Sequence, residues 1–505
     1  MALLLTLAIC LILVKCLHAL LAHLKTRDAL EKVHQPRGYP LLGHGLIAKP
    51  DPEGFVNQIF GMGYLYPSAP RACVLWLGPM PITVIYSAEL LEKIVCNSNH
   101  LNKGFAYKLL EPWLGQSLLI SKKDRWRPKR KLLTPTFHYD ILKDFVPVFN
   151  EQAKILVQKM GAACGKGKGT ASTSGKVEVL ELVTLCMLDI ICETSMGRSV
   201  NAQMQKDSEY VWAVHTINKC VSERTRNPFT WPEPIYKLTS NGRTHSRCIQ
   251  LLHSFTRQVI DERAAELERS DWKLGDGDRM AFLDLLLLMA HRGQMDPKDI
   301  QEEVDTFMFE GHDTTSNGLA WTLHFLGCNK HVQIRAQKEV DEVLQGSEEG
   351  TVEHISQLKY VECCLKEALR LCPSVPMILR ELGADQPIAE DVVLPRGTHV
   401  LLNLFLVHRD PSQWPQPETF NPDRFLPENS IGRHPFAFAP FSAGSRNCIG
   451  QRFAIMEEKV VLAHILRNFT ITSLQKRHEI RTDVNLIMRP QEGLFVKLEP
   501  RNKLS

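Results

Sequence analysis

Within the stretch Phe436–Gly450 one cysteine, Cys448, is set among residues that suit a metal ligand better than a core thiol. Gly444 and Gly450 flank it where a backbone must turn sharply or approach another group closely. Arg446 lies two residues before it and Phe441 seven before it. The residues that follow, Ile449 to Lys459, read as the first turns of a helix. A thiolate at a helix N-terminus is expected to have a lowered pKa, because unpaired amides and the macrodipole favour negative charge there. A lone apolar-looking cysteine is by default a packing residue. The full pattern Phe441-x-x-Gly444-x-Arg446-x-Cys448-x-Gly450 is not explained by packing.

A second group lies upstream, in a long helical pattern over Asp299–Gly327 that contains Phe309-Glu310-Gly311-His312-Asp313-Thr314-Thr315. Helical spacing predicts that Glu310, Asp313 and Thr314 share one face. Gly311 is expected to leave room for a planar ligand or for oxygen to approach. An acid beside an alcohol can relay protons, a form of general acid catalysis. A third group is Trp126 and Arg130, four apart and so on one helix face, able to clamp an anionic group. They lie in a basic run, Lys122, Lys123, Arg125, Arg127, Lys129 and Lys131, which can steer an acidic partner. Pro128 falls inside this run, so the helix is expected to start later or to be distorted in its first turn. Glu367 and Arg370, three apart in an amphipathic helix over Tyr360–Cys372, can pair.

Together these motifs resemble those of the cytochrome P450 family, the haem-thiolate monooxygenases, and the resemblance runs from the hinge near Pro36 to Val496. It implies a mainly α fold with a small β region around haem b, with Cys448 as the axial ligand. Such a thiolate pushes electron density onto the iron and favours O–O cleavage. It further implies Asp313 and Thr314 as the proton-delivering pair, with Trp126, Arg130, Arg380 and Arg446 holding the propionates. Phe441 belongs to the same haem loop. Glu367 and Arg370 would form a structural triad with Arg424, from Pro422-Asp423-Arg424-Phe425. Glu310 directly before Gly311, with Arg433-His434-Pro435 before the haem loop, resembles the family-four fatty-acid ω-hydroxylase branch, in which this glutamate can form an ester with a haem methyl. The implied reaction inserts one atom of O2 into a C–H bond of a medium- or long-chain fatty acid. Other lipids, eicosanoids, hydrocarbons and xenobiotics remain open as substrates. Electrons are implied to come from NADPH through cytochrome P450 reductase, with cytochrome b5 as a further candidate. A haem-thiolate isomerase working without NADPH, or a non-catalytic haem sensor, would leave the Asp313-Thr314 pair idle.

These groups need a large scaffold. The chain has 505 residues, 44% hydrophobic and 23% charged, enough to bury a sizeable core and a cofactor. Its net charge of +4 is too small to suggest nucleic acid. The 14 cysteines, with Cys363 and Cys364 adjacent, suit a reducing compartment rather than a disulfide scaffold. Met1–Val14 is almost wholly apolar before Lys15 interrupts it. A membrane-anchor helix is therefore expected over 1–24, since spanning takes about 20 mainly apolar residues and a lysine stem can snorkel. Lys25, Arg27, Lys32 and Arg37 follow, and the positive-inside rule then places the remainder on the cytosolic side of the membrane. The resemblance makes that membrane the endoplasmic reticulum. A basic, proline-containing hinge is expected over 25–45, and a single haem-binding domain over 46–500. Two short strands with a turn at Gly78-Pro79 are expected in Ala72–Tyr86, flexible loops at Gly161–Lys176 and Ser270–Arg279, and a hairpin over Leu486–Val496 around Gln491-Glu492-Gly493. Val375–Leu379 is expected to line the substrate cavity.

Overall fold

Asp296 and Pro297 start the helix on which the rest of the molecule packs. The Asp296 carboxylate accepts from the Lys298 amide at 2.7 Å, and proline sits at the first helical position, where it has no hydrogen bond to lose. In this computed structural model the helix runs Pro297–Cys328, 32 residues and roughly 48 Å at 1.5 Å per residue. It is buried on almost every side, with Val304, Phe307, Met308, Leu319, Trp321 and Leu326 among its buried side chains. The structure describes residues 23–501 except 40, 41, 46, 50, 166–174, 206, 207 and 274–279, and of the first 22 only 7, 10, 14, 17 and 21.

The longer helices are α1 Pro52–Leu65, α2 Ala88–Val95, α3 Lys123–Leu133, α4 Val146–Gly165, α5 Val179–Ser195 and α6 Glu209–Arg226. They continue with α7 Ser240–Arg269, α8 Phe282–His291, α9 Pro297–Cys328, α10 Lys330–Leu344, α11 Lys359–Leu371 and α12 Gln451–Asn468. The central helix α9 lies against α5, α7, α11 and α12. It lies tightly against α5 at Gly311, where a Cβ would stand 2.6 Å from the Ile191 side chain. Helices α4 and α12 lock through Phe149 and Phe453, edge to face at 5.3 Å.

The strands are β1 Ala72–Leu77, β2 Met80–Ile85, β3 Asn102–Lys103, β4 Lys176–Glu178, β5 Met377–Glu381 and β6 Gln386–Ala389, then β7 Val392–Leu394, β8 His399–Asn403, β9 Phe469–Ser473, β10 Thr482–Val484, β11 Met488–Pro490 and β12 Phe495–Pro500. The main sheet has the order β1-β2-β8-β5-β3. Its first pair is the hairpin expected at Gly78, whose φ of +59° needs glycine. The antiparallel β3–β5 pair sets Lys103 directly opposite Arg380. The fold is mainly helical with small sheets, as expected.

Several local expectations change. Helix α3 runs straight through Pro128, which is exposed, so the Asp124 carbonyl it leaves without an N–H partner faces water. The hairpin near the C-terminus is β10–β11, turning at 485–487 and not at Gln491-Gly493; β12 belongs to another sheet, between β4 and β9. The proline-containing hinge is docked on β1: His44 Nδ1 accepts from the Trp76 amide at 2.8 Å, and Trp76 Nε1 donates to Gln35 Oε1 at 3.0 Å. Helix α4 extends to Gly165, and the loop expected beyond it lies mostly outside the described residues, as does 274–279. The anchor expected over 1–24 also falls largely outside them, and among the described residues no helix is long and apolar enough to cross a membrane.

Candidate active site

Cys448 sits in the loop before α12, its amide donating to the Phe441 carbonyl at 2.8 Å, which closes the turn that Gly444 (φ +68°) begins. A Cβ on Gly444 would lie 2.0 Å from the Val95 carbonyl, so glycine lets the loop lie against the end of α2. The Cys448 side chain has accessible surface and is nevertheless surrounded by protein, because it faces an internal cavity. The expected lowering of its pKa is not found. Burial pushes the thiol up to about 11, Glu310 across the cavity adds to this, and the Gly450 amide acts in the opposite direction without prevailing. Helix α12 begins only at Gln451, three residues on. A cationic ligand is what would hold this sulfur as a thiolate.

Around the cavity stands an excess of buried positive charge. Lys103 and Arg380 face one another across β3–β5, a like-charge pair that is unfavourable without an anion. Arg380 is 2% exposed and its Nη1 has no protein partner. Burial, then Arg380 and Arg446, pull the Lys103 ammonium far below its ordinary range, with Glu310 and Cys448 opposing them. Arg446 is pulled down to about 9 by burial and by Arg380. Its guanidinium donates to the carbonyls of Leu118, Leu119 and Ser121, lies 4.6 Å from the Trp126 ring centroid, and leaves Nε unpartnered. Glu310 is the single carboxylate in this set, and burial pushes it up to about 7. Two carboxylates on a ligand would balance these cations, and a metal on the same ligand would take the thiolate. Haem b carries both, so the residues present fit it.

The structure brings most of the sequence-derived candidates together, with differences in their roles. Arg130 does not stand free: it donates to the Asn447 carbonyl and to Asn447 Oδ1 at 2.8 and 2.9 Å, bracing the residue next to Cys448. Trp126 is buried beneath Arg446. Glu310 and Thr314 occupy one face of α9, with Thr314 Oγ1 donating back to the Glu310 carbonyl at 2.8 Å. Asp313 does not share that face. Its carboxylate is fully buried toward α6 and β11, accepting from Asn218 Nδ2 at 3.1 Å and paired with Arg489 of β11. Gly311 likewise turns toward Ile191 and makes room for α5 rather than for a ligand.

The triad is assembled. Arg370 Nε and Nη2 grip the two Glu367 oxygens at 2.7 and 2.9 Å, and Arg424 Nε approaches Oε1 at 3.4 Å. Glu367 Oε1 also accepts from the Asn421 amide at 2.9 Å, and Arg370 donates to the His408 and Thr419 carbonyls. One carboxylate thus pins the irregular segment that leads toward Cys448. Part of the basic run on α3 is used internally. Lys129 is buried against Glu303 at 2.8 Å, and Arg125 bonds Asp299, which leaves Lys122, Arg127 and Lys131 exposed.

Sequence reasoning missed Lys103, since a two-residue strand has no period to read. It also missed Arg489, although a lone arginine in Leu486-Ile487-Met488-Arg489-Pro490 is a sign of an internal partner. Arg489 and Asn218 line a cavity of about 750 Å3 walled also by Leu185, Trp212, Leu251 and Ile487. This is not the cavity onto which Cys448 opens, and Asp313 lies at its floor through those two partners.

A family model described as Cytochrome P450 matches residues 34–498. The human protein named Cytochrome P450 4V2 is 45% identical over 477 residues, covering 92% of this chain and 89% of the relative. Cytochrome P450 4c3 of Drosophila melanogaster is 41% identical, covering 94% and 90%, and human Cytochrome P450 4F8 is 36% identical, covering 91% and 88%.

Proposed function

The chain belongs to the cytochrome P450 family, whose members are haem-dependent oxidoreductase monooxygenases with a cysteine thiolate on iron, and on that premise we propose that it hydroxylates the terminal carbon of medium- or long-chain fatty acids. Its relatives named above are all of family 4. The observation that carries the finer reading is Glu310, a buried carboxyl on the same face of α9 as Thr314 and close enough to Cys448 to raise its pKa.

Cys448 would hold the haem iron, Lys103, Arg380 and Arg446 its propionates, and Arg130, Trp126 and Phe441 the loop around it. When bound, the haem supplies the O2 reduction and C–H oxidation that no side chain can. Glu310 would stand beside the haem edge, where its carboxyl oxygen would take the place of one hydrogen of a haem methyl to form an ester, the two electrons of that oxidation going to peroxide at the haem, and this tether would fix the cavity wall. Thr314 presents a hydroxyl on the cavity side. Asp313 stands beside it and holds a proton-exchanging position where Asn218, Arg489 and His215 meet the second cavity, so protons reach α9 from that cavity. NADPH-cytochrome P450 reductase, and cytochrome b5 as a second donor, dock by acidic surface on the exposed Lys122, Arg127 and Lys131.

The apolar N-terminal segment anchors the protein in the endoplasmic reticulum membrane with the catalytic domain in the cytosol. Phe229 and Leu238, both 80% exposed between α6 and α7, support a second contact with lipid. The test is turnover of a fatty-acid panel by the purified protein with reductase and NADPH, with the hydroxyl located by mass spectrometry. Terminal products dependent on NADPH are expected. In-chain products would keep the monooxygenase and overturn the terminal positioning, and conversion of no acid would overturn the substrate class. Haem that resists acidic organic extraction in the wild type and is released from Glu310→Ala is the expected mark of the ester.

A further inference from the structure

Helix α12 carries two adjacent carboxyls that none of the roles above uses. Glu457 and Glu458 are 0% and 2% exposed, and no ion pair reaches either among the described residues. Lys459, next in sequence, turns away to Glu362 at 3.1 Å. Both glutamates face α9, at positions three residues apart along it. Glu457 faces the Thr315 hydroxyl, and Glu458 fills the space beside Gly318, where a Cβ would stand 2.7 Å from Glu458 Oε1 and 3.7 Å from Ser374 Oγ.

The hydrogen-bond accounting does not close within the protein. Glu457 Oε1 and Oε2, Glu458 Oε2 and Asn317 Oδ1 are buried acceptors without a protein donor. The nearby donors are already engaged. Thr315 Oγ1 donates to the Gly311 carbonyl at 2.9 Å, Ser374 Oγ to the Thr314 carbonyl at 2.8 Å, and Asn317 Nδ2 to Ser374 Oγ at 3.4 Å. Two unpaired carboxylates here would each cost several kcal/mol. Protonation removes both charges and supplies two donors, one of which can go to Thr315 Oγ1. The remaining acceptors call for a small ligand that donates two hydrogen bonds, which is water.

We propose that Glu457, Glu458, Thr315, Asn317 and Ser374 enclose a buried hydrated site on the α12 side of α9, in which the two glutamates are carboxylic acids that position Thr314 through Asn317 and Ser374. Burial agrees with this: it raises Glu458 to about 8, and together with Glu458 it lifts Glu457 far above the ordinary carboxylate range. The other titratable group facing Glu457 is the Cys186 thiol of α5, itself raised by burial and uncharged at neutral pH. From α11, Leu369 faces Glu458. The arrangement ties the helix that follows Cys448 to the turn that carries Thr314, so the two sides of the haem cavity share one hydrogen-bonded link.

The Thr314 part rests on the monooxygenase reading; the carboxylic acids and water do not, and the test has an arm for each. Infrared spectra of the haem-loaded protein at neutral pH are expected to show the carbonyl stretch of buried protonated acids, reduced in Glu457→Gln and again in Glu458→Gln. Unchanged spectra in both variants would overturn the site whatever the enzyme turns over. With reductase, NADPH and a saturated fatty acid, Ser374→Ala at wild-type haem content is expected to raise hydrogen peroxide released per NADPH by about two- to tenfold, the range for one lost hydrogen bond. Wild-type leakage in Ser374→Ala would overturn the positioning role. A chain that oxidises no NADPH fails the proposed function alone and leaves the infrared result to decide the site.

Discussion

Replacing Glu367 by glutamine tests how the loop that carries Cys448 is held. The change keeps volume and removes one negative charge at a site with 0% exposure on both Glu367 and Arg370. In the wild type this carboxylate accepts two hydrogen bonds from Arg370 and one from the Asn421 amide, and faces Arg424 at 3.4 Å. An amide in its place keeps one acceptor and turns an NH2 toward a donor. Arg370 and Arg424 remain as cations without a counter-charge, since their other partners are the carbonyls of His408, Thr419 and Gln416. Breaking a buried pair by removing one partner costs about 3–5 kcal/mol, a large share of a total stability of about 5–15 kcal/mol. The loss falls on the segment leading to the haem loop, so haem content should fall with it. The assay is haem absorbance per protein together with thermal unfolding. The comparison is Lys338→Gln, which breaks an exposed pair with Glu342 at 3.6 Å and should change stability by less than about 1 kcal/mol. If Glu367→Gln loads haem and melts like Lys338→Gln, the reasoning about the triad is wrong.

Other consequences can be checked in the same preparations. Asp313→Asn is expected to lower turnover by about 10²-fold, the low end for general acid catalysis, with binding of the fatty acid retained in a spectral titration. Glu458 titrates near 8 when folded and about 4.3 when unfolded. Its contribution to stability is therefore complete below the unfolded value and is lost as pH rises toward about 8. Denaturant unfolding should accordingly show Glu458→Gln gaining on the wild type across that window. Gly311→Ala drives a methyl into Ile191 and should cost about 1–3 kcal/mol, part of which Ile191→Val restores.

The long helix, the hairpin at Gly78 and the five-position pattern around Cys448 were legible because each has a fixed local signature: periodicity, a turn glycine, and a spacing. The triad was legible from two short motifs, although nothing in their spacing says that Glu367 and Arg424 meet. What the sequence could not give is direction. Asp313 and Thr314 are adjacent, so about 100° apart on a helix, and only tertiary packing decides that Asp313 turns to Arg489 and Asn218 while Thr314 faces the cavity. A glycine such as Gly311 marks a close approach without saying of what, and here Ile191 of α5 occupies that direction. Position before a helix favours an acidic Cys448 thiol, but burial outweighs a dipole whose influence fades beyond the first turn. Lys103 and the Glu457–Glu458 pair carry charge in apolar surroundings, and their meaning depends on partners scattered over the chain.

The measurement closest to the central claim is the reduced, carbon-monoxide-bound absorption spectrum of the purified chain beside that of Cys448→His. The wild type should give the spectrum of a haem with a thiolate ligand, and the variant should bind haem with the spectrum of an imidazole ligand. A thiolate spectrum that survives in Cys448→His, or none in the wild type at full haem content, would contradict Cys448 as the ligand and the site built around it.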